Sequence, residues 1–263
     1  MLGQKDKNAT TRLASAARLP AIRAAEGGFR EKHLALKIVI QCAGRKNDWS
    51  YFRADDGTRL EFVARPGNAP QTRGIRYAHP DDASDNGLTW RQRVSDFNRN
   101  KGTSPSSLEP AFRLYRARQY EQLVDEFGAS QIFVLSAGWG LVRSDFLLPH
   151  YNITFQKPAN RAEWYIWRRR RDRFDDFHQL AASAGDHVIF IGGSNYRYYF
   201  ETFCADLNGI KTVYYNSDTI FPHASFQYKR FETNRKTNWH YSCADELIEL
   251  HRRGTLCRNI DAA

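Results

Sequence analysis

The chain reads as an α/β protein, a three-layer α/β/α arrangement around a central, mainly parallel sheet of four strands. Two observations predict this. Four short runs are strongly apolar, residues 36–41 (LKIVIQ), 131–135 (QIFVL), 187–191 (HVIFI) and 212–215 (TVYY), and each is too short for an ordinary helix. Helical patterns lie between most of them, and strands alternating with helices bury a parallel sheet on both faces.

In chain order, residues 1–34 form a basic N-terminal extension, with Arg12, Arg18 and Arg23 among alanines and a surface helix expected over 11–25. Residues 35–263 form one α/β domain. The first strand (36–41) is followed by an insertion, 49–107, rich in Gly, Pro, Asp and Asn. Within it Asp56-Gly57 marks a hairpin turn between Tyr51-Phe52 and residues 60–63, and a short helix is expected near 89–97. An insertion of this length at the carboxyl edge of a sheet is either a functional lid or passive decoration. The next helix spans 110–127, with Phe112, Leu114, Tyr115, Leu123, Val124 and Phe127 on its apolar face. Further helices are expected over 162–182, 196–207 and 243–253.

The composition bounds the partners. Of the 263 residues, 14% are aromatic, enough for a packed core with some left for stacking, and the net charge is +10. Clustered positive charge with Arg, Tyr and Trp points to a nucleic acid. The cysteines at 42, 204, 243 and 257 have no CxxC or zinc-like spacing, which argues against a structural metal and for a reducing, cytoplasmic setting. No apolar run approaches membrane-spanning length.

The polar ends of the four strands carry the candidate chemistry, because open α/β sheets hold ligands at their carboxyl edge. Strand one ends in Cys42-Ala43-Gly44-Arg45-Lys46-Asn47-Asp48, a small-residue turn with two cations and a carboxylate. It is either an anion cradle or a plain strand exit. Strand two runs into Ser136-Ala137-Gly138-Trp139-Gly140 and on through Asp145, His150, Tyr151 and Asn152. Strand three ends in Gly192-Gly193-Ser194-Asn195, where a ligand could approach the backbone or Ser194 or Asn195 could cap the helix. Strand four leads to Pro222-His223. The run WYIWRRRRDR (164–173) joins aromatics to cations that include Arg168 and Arg169, and Lys229-Arg230 adds a second basic stretch.

Several of these segments together resemble a group of bacterial proteins related to the peroxide-stress DNA-binding family. The matching residues are Cys42 with Lys46, Pro110-Ala111-Phe112-Arg113-Leu114-Tyr115, Val134 to Leu141 (VLSAGWGL) and Pro149-His150-Tyr151-Asn152-Ile153-Thr154. The match covers most of residues 36–200. Asn152 stands where that pattern has Asp. The order of Phe221-Pro222-His223-Ala224-Ser225, the basic stretch and a closing helix also resembles the uracil-DNA glycosylase superfamily, whose parallel four-stranded sheet carries site loops after strands one, two and four. The combination is similar to prokaryotic antiphage glycosylases that remove glucosylated cytosine from phage DNA.

That resemblance implies an enzyme that flips a modified base out of a phage duplex and cleaves its N-glycosidic bond. It implies leaving-base stabilisation by His223 and recognition of the base edge by Asn152 and His150. Water or the sugar cation would fall to Asp48 or Asp145. Phosphates would be held by Arg45, Lys46, Arg168, Arg169, Lys229 and Arg230, with Ser194 and Asn195. Cys42, Gly44, Trp139, Tyr151 and Gly193 would line the substrate pocket. No metal, organic cofactor, membrane or obligate protein partner is implied. A non-catalytic DNA-binding protein and a nucleobase transglycosylase are the competing expectations.

Overall fold

Leu36–Gln41 (β1) is the axis on which the remaining elements are arranged. The computed structural model describes residues 35–100, 107–235 and 237–256, within the unit His33–Ala263. The helix expected over 11–25 lies outside the described residues. After β1 come β2 (Arg59–Val63), β3 (Ile75–Ala78), α1 (Trp90–Asn100), β4 (Glu109–Pro110), α2 (Ala111–Leu114) and α3 (Gln119–Phe127). Then follow β5 (Ile132–Ser136), β6 (Gly140–Arg143), β7 (Leu147–Leu148), β8 (Tyr151–Asn152) and β9 (Phe177–His178). The chain closes with β10 (His187–Ile191), α4 (Ser194–Cys204), β11 (Ile210–Tyr215), β12 (Gln227–Arg230) and α5 (Trp239–Arg252).

The chain is mixed α/β with a mainly parallel central sheet. Among the described residues this sheet has seven strands, ordered β12-β11-β10-β1-β5-β6-β9, rather than the four expected. The four expected strands are its parallel centre, with β1 between β10 and β5 and β11 beyond β10. Ile38, Val39, Ile40 and Val188 through Ile191 are all buried, as strands covered on both faces require. Phe190 stacks on Phe200 of α4 with centroids 4.5 Å apart. Its neighbour Ile191 points the other way and is in register with Tyr214, which lies beside Cys243 of α5. Helices α4 and α5 therefore cover opposite faces. Helix α3 packs with α5, where Glu126 of α3 accepts from His251 at 2.6 Å and from Arg252 at 2.8 Å.

Of the three added strands β12 and β9 form the edges, while β6 lies between β5 and β9 and changes the meaning of the central motif. The turn Ser136-Ala137-Gly138-Trp139-Gly140 does not open into a ligand loop. It closes a hairpin in which β6 pairs antiparallel with β5, Ser136 facing Gly140 and Phe133 facing Arg143. Gly140 has φ +88, and a Cβ there would lie 2.5 Å from the Phe177 carbonyl oxygen. Only glycine fits so close an approach.

The carbonyls of this turn are buried and bonded by two arginines from distant segments. Arg168 Nη1 donates to Ala137 O at 3.1 Å, while Arg91 donates to Gly138 O at 3.1 Å and Trp139 O at 3.2 Å. Each guanidinium is neutralised in place, Arg91 by Asp81 at 2.5 Å and Arg168 by Asp176 at 2.8 and 2.5 Å. Arg168 also lies over the Phe174 ring at 3.8 Å. It is 4% exposed, so this cation is already spent on the fold and is not a phosphate grip, contrary to expectation.

The insertion is likewise built in rather than draped over. The expected hairpin forms: Leu60 N donates to Phe52 O at 2.9 Å, and Gly57 sits in the turn at φ +83. The expected short helix is α1. Unanticipated is a second sheet, β3-β2-β8, all parallel, that recruits Tyr151 and Asn152 as its third strand. Phe62 of β2 packs edge-on against Trp139 at 5.0 Å and against Trp90 of α1 at 6.3 Å. Burial of each such ring stabilises by roughly 1.5–3 kcal/mol.

Two helical expectations fail. The helix over 110–127 is interrupted, because Tyr115 turns extended and bridges Lys46 while Asn47 N bonds Leu114 O. No helix covers 162–182. A 3-10 turn at Arg161–Ile166 gives way to irregular chain in which Thr154 and Arg168 exchange backbone bonds with each other's segment. Turning Arg168 inward to the hairpin is incompatible with a solvated basic helix.

Replacing Arg168 with Met orphans the Asp176 carboxylate and the Ala137 carbonyl. We expect a loss of about 3–5 kcal/mol in chemical denaturation, where removal of an exposed surface cation would cost less than about 1 kcal/mol.

Candidate functional site

The carboxyl edge of the sheet carries three cavities. The first, about 970 Å³, is lined by Ala43, Gly44, Arg45, Lys46, Arg116, Ala117, His150, Asn238 and Tyr241. The second, about 180 Å³, is lined by residues that include Gly193, Ser194, Arg197, Asn216 and Trp239. The third, about 370 Å³, includes Lys157, Trp167, Arg168, Arg169, Arg170 and Asn195. Consecutive residues line neighbouring cavities, Asn238 the first and Trp239 the second at the start of α5, and Ser194 the second and Asn195 the third at the start of α4. No carboxylate lines any of the three.

The crevice between β1 and β10 is where the crossovers diverge, the usual ligand position in such a sheet. Here Gln41 closes it. Its Oε1 accepts from Gly193 N at 2.6 Å, and its Nε2 lies 3.3 Å from His240 Nε2. Gly193, not Ser194 or Asn195, is the N-cap residue of α4. Burial pushes the His240 imidazole down to about 4, so it is neutral and can accept from Gln41. The open space is thereby displaced toward the β1–β5 side, beneath the segment Ala43–Lys46.

Beneath the first cavity lies a buried hydroxyl and thiol network. Cys42 Sγ is 3.3 Å from Tyr196 Oη, Tyr115 Oη is 3.0 Å from Tyr151 Oη, and Ser136 Oγ donates to Tyr151 Oη at 2.9 Å. Burial raises Tyr115, Tyr151 and Tyr196 well above the ordinary phenol range, and each stays neutral. Lys46 Nζ lies over the Tyr151 ring at 4.1 Å. The residue is only 9% exposed, and among the described residues no salt bridge or hydrogen bond reaches its amine. Burial lowers its pKa, against the opposing pull of Cys42 and Glu61. Glu61 Oε2 is 3.3 Å from His150 Nδ1, within ion-pair reach though off the hydrogen-bond direction.

The residues singled out in the sequence divide sharply. Gly44, Arg45, Lys46 and His150 come together in the first cavity, with Cys42 and Tyr151 in the network below it. Gly193, Ser194, Asn195 and Arg169 line the other two. Four do not belong. Asp145 follows β6, which runs back toward the amino end of β5, and its carboxylate is held by Arg143 at 2.5 Å. His223 precedes β12, whose first residue Gln227 is level with Thr212, so it too sits near the amino edge. Its backbone N–H donates to Tyr228 Oη at 2.8 Å, and Tyr228 in turn donates to Glu201. Asn152 is exposed and points away from the buried Tyr151, as successive strand residues must. Trp139 is fully buried against Phe62 and lines none of the three cavities.

Asp48 is exposed and outside the cavity lining, and its backbone carbonyl accepts from Arg59 at 3.2 Å. Arg230 is paired with Asp218 at 3.2 Å, and Lys229 lies 5.9 Å from the Tyr214 ring on the edge strand. Sequence reasoning missed Arg116, Asn238 and Tyr241. Asn238 carried the faintest signal, an Asn ahead of a helix. In the structure it is the one described non-glycine residue with positive φ, at 57°, and it faces the cavity.

Among the described residues no group of His, Cys, Asp and Glu is placed to hold a metal, and no helix is long and apolar enough to cross a membrane. No protein-family model matches the chain, and no curated protein matches it.

The His240 clasp has a pH signature. The folded pKa of about 4 lies below the ordinary 6.5, so its stabilisation is complete above 6.5 and is lost as pH falls toward 4. Denaturant titrations across that window are expected to show a fall on the order of 3 kcal/mol, absent in His240→Leu measured against its own value at pH 7.

Proposed function

We propose that the protein is a DNA glycosylase that takes a flipped-out, modified nucleotide into the cavity beneath Ala43–Lys46. The observation that carries this reading is the row of three neighbouring cavities along the carboxyl edge of the sheet, a trough that no carboxylate lines. Arg45 and Arg116 flank the deep cavity, exposed and, among the described residues, without an acidic partner. Lys157, Arg169 and Arg170 line the far end. A line of cations with aromatic side chains between them suits a phosphate backbone better than a single small anion.

The central parallel strands β5-β1-β10-β11 support the likeness to the uracil-DNA glycosylase fold, and the Gly44–Lys46 segment supplies a loop after the first of them, while His150 reaches the same cavity only after β6 and β7. The loop after the fourth departs from that family, since it returns His223 to the opposite edge. The leaving-base role therefore passes from His223 to cavity residues, of which His150 is the titratable candidate. A volume of about 970 Å³ is at the upper end of small-molecule sites and favours a bulky base such as glucosylated 5-hydroxymethylcytosine over a bare one. Excision of such a base from phage DNA would be an antiviral activity.

Incubation with glucosylated, hydroxymethylated and plain duplexes, followed by mass spectrometry of free bases, is expected to show release from the glucosylated DNA first. His223→Ala and Asp145→Asn should retain that activity within about twofold, because both lie outside the trough. Replacing Arg45 and Arg116 together with Ala should lower the slope of log affinity against log salt by about 2. Salt-dependent binding without any released base would leave a non-catalytic DNA-binding protein. Incorporation of a free labelled base would identify a transglycosylase.

A further inference from the structure

We infer that Lys46 is a covalent nucleophile, an amine that forms an imine with the anomeric carbon of the flipped sugar, and that the protein therefore also cleaves the strand at abasic sites. This rests on the glycosylase reading of the same cavity and adds the reacting group. The placement carries it. Lys46 is 9% exposed yet lines the first cavity, of about 970 Å³, fixed from behind by the Tyr151 ring at 4.1 Å and by the backbone bridge to Tyr115. No carboxylate pairs with it among the described residues. A lysine serving as a phosphate clamp would be exposed, as Arg45 and Arg116 are; a shielded amine loses ammonium hydration and becomes nucleophilic. Burial lowers its pKa in the same sense.

The chemistry balances with water alone. The Nζ lone pair forms the bond to C1′, and the C1′–N bonding pair leaves with the base, which takes up the proton released by the amine. Breaking the C1′–O4′ bond, with a proton delivered to O4′, gives the imine. Removal of a C2′ proton, for which His150 is the neighbouring base, forms the C2′–C3′ double bond and expels the 3′ phosphate with its C–O pair. Water then hydrolyses the imine and restores the amine.

The test uses the full chain and a duplex oligonucleotide carrying one preformed abasic site, so that base removal is bypassed. Sodium borohydride reduces any imine to a stable amine. The expected result is a denaturation-resistant adduct whose crosslinked peptide contains Lys46, strand cleavage 3′ of the site, and loss of both in Lys46→Gln and Lys46→Ala. Peptide mapping on the unmodified protein keeps the result decisive if those variants fold poorly. The rate of adduct formation should also rise with pH and level off below the ordinary lysine value of 10.5. No adduct, or an adduct spread over other amines, overturns the inference. Base release from modified DNA without an adduct overturns it while leaving the glycosylase reading intact. An adduct at Lys46 without base release from any modified DNA supports it and removes that reading.

Discussion

Three backbone carbonyls at the tip of one hairpin, those of Ala137, Gly138 and Trp139, hold the architecture together. They lie in a buried turn, and although Trp139 O also accepts from Phe177 N at 2.9 Å, a buried carbonyl left unbonded is costly. Arg168 and Arg91 meet that need from opposite sides of the sequence. Each arginine then requires a carboxylate, Asp176 for one and Asp81 for the other. In this way one tight turn recruits α1, the segment after Ala78 and the chain leading to β9. Buried ion pairs gain little over apolar replacements but are expensive to break.

The same hairpin decides where the site is not. By sending β6 back along β5 it removes Asp145 from the carboxyl edge, and the chain regains that edge only at His150 and Tyr151. Gln41 acts in a similar way at the sheet's divergence point. By bonding Gly193 and His240 it fills the crevice that such sheets usually leave for ligand. The remaining space opens beside β1, over a floor of tyrosine hydroxyls. That floor is polar but neutral, so it solvates a nearby amine poorly and leaves Lys46 chemically distinct from the exposed arginines around it.

Much of the fold was legible. The four central strands follow from runs of branched and aromatic residues whose length excludes helices, and β1 and β10 have the bounds their sequence implies. The Asp56-Gly57 hairpin turn and α1 follow from local chemistry. What misled was locality itself. The pattern at 110–127 is helical, but Tyr115 gains a long-range bridge to Lys46 and breaks it. The basic run at 164–173 looked like a nucleic-acid helix, but one of its arginines is consumed in the core.

Sequence alone determined the four central parallel strands and the cationic character. It determined these because propensity, burial period and net charge are sums over neighbours in the chain. The tertiary structure decided which end of the sheet each polar residue occupies. Asp145 and His223 have the right chemistry and the wrong end; Arg116, Asn238 and Tyr241 have unremarkable contexts and the right one. Direction reverses at every antiparallel turn and on every connection that returns to start a parallel strand. Those reversals are set by pairing between residues far apart in sequence, which no local pattern encodes.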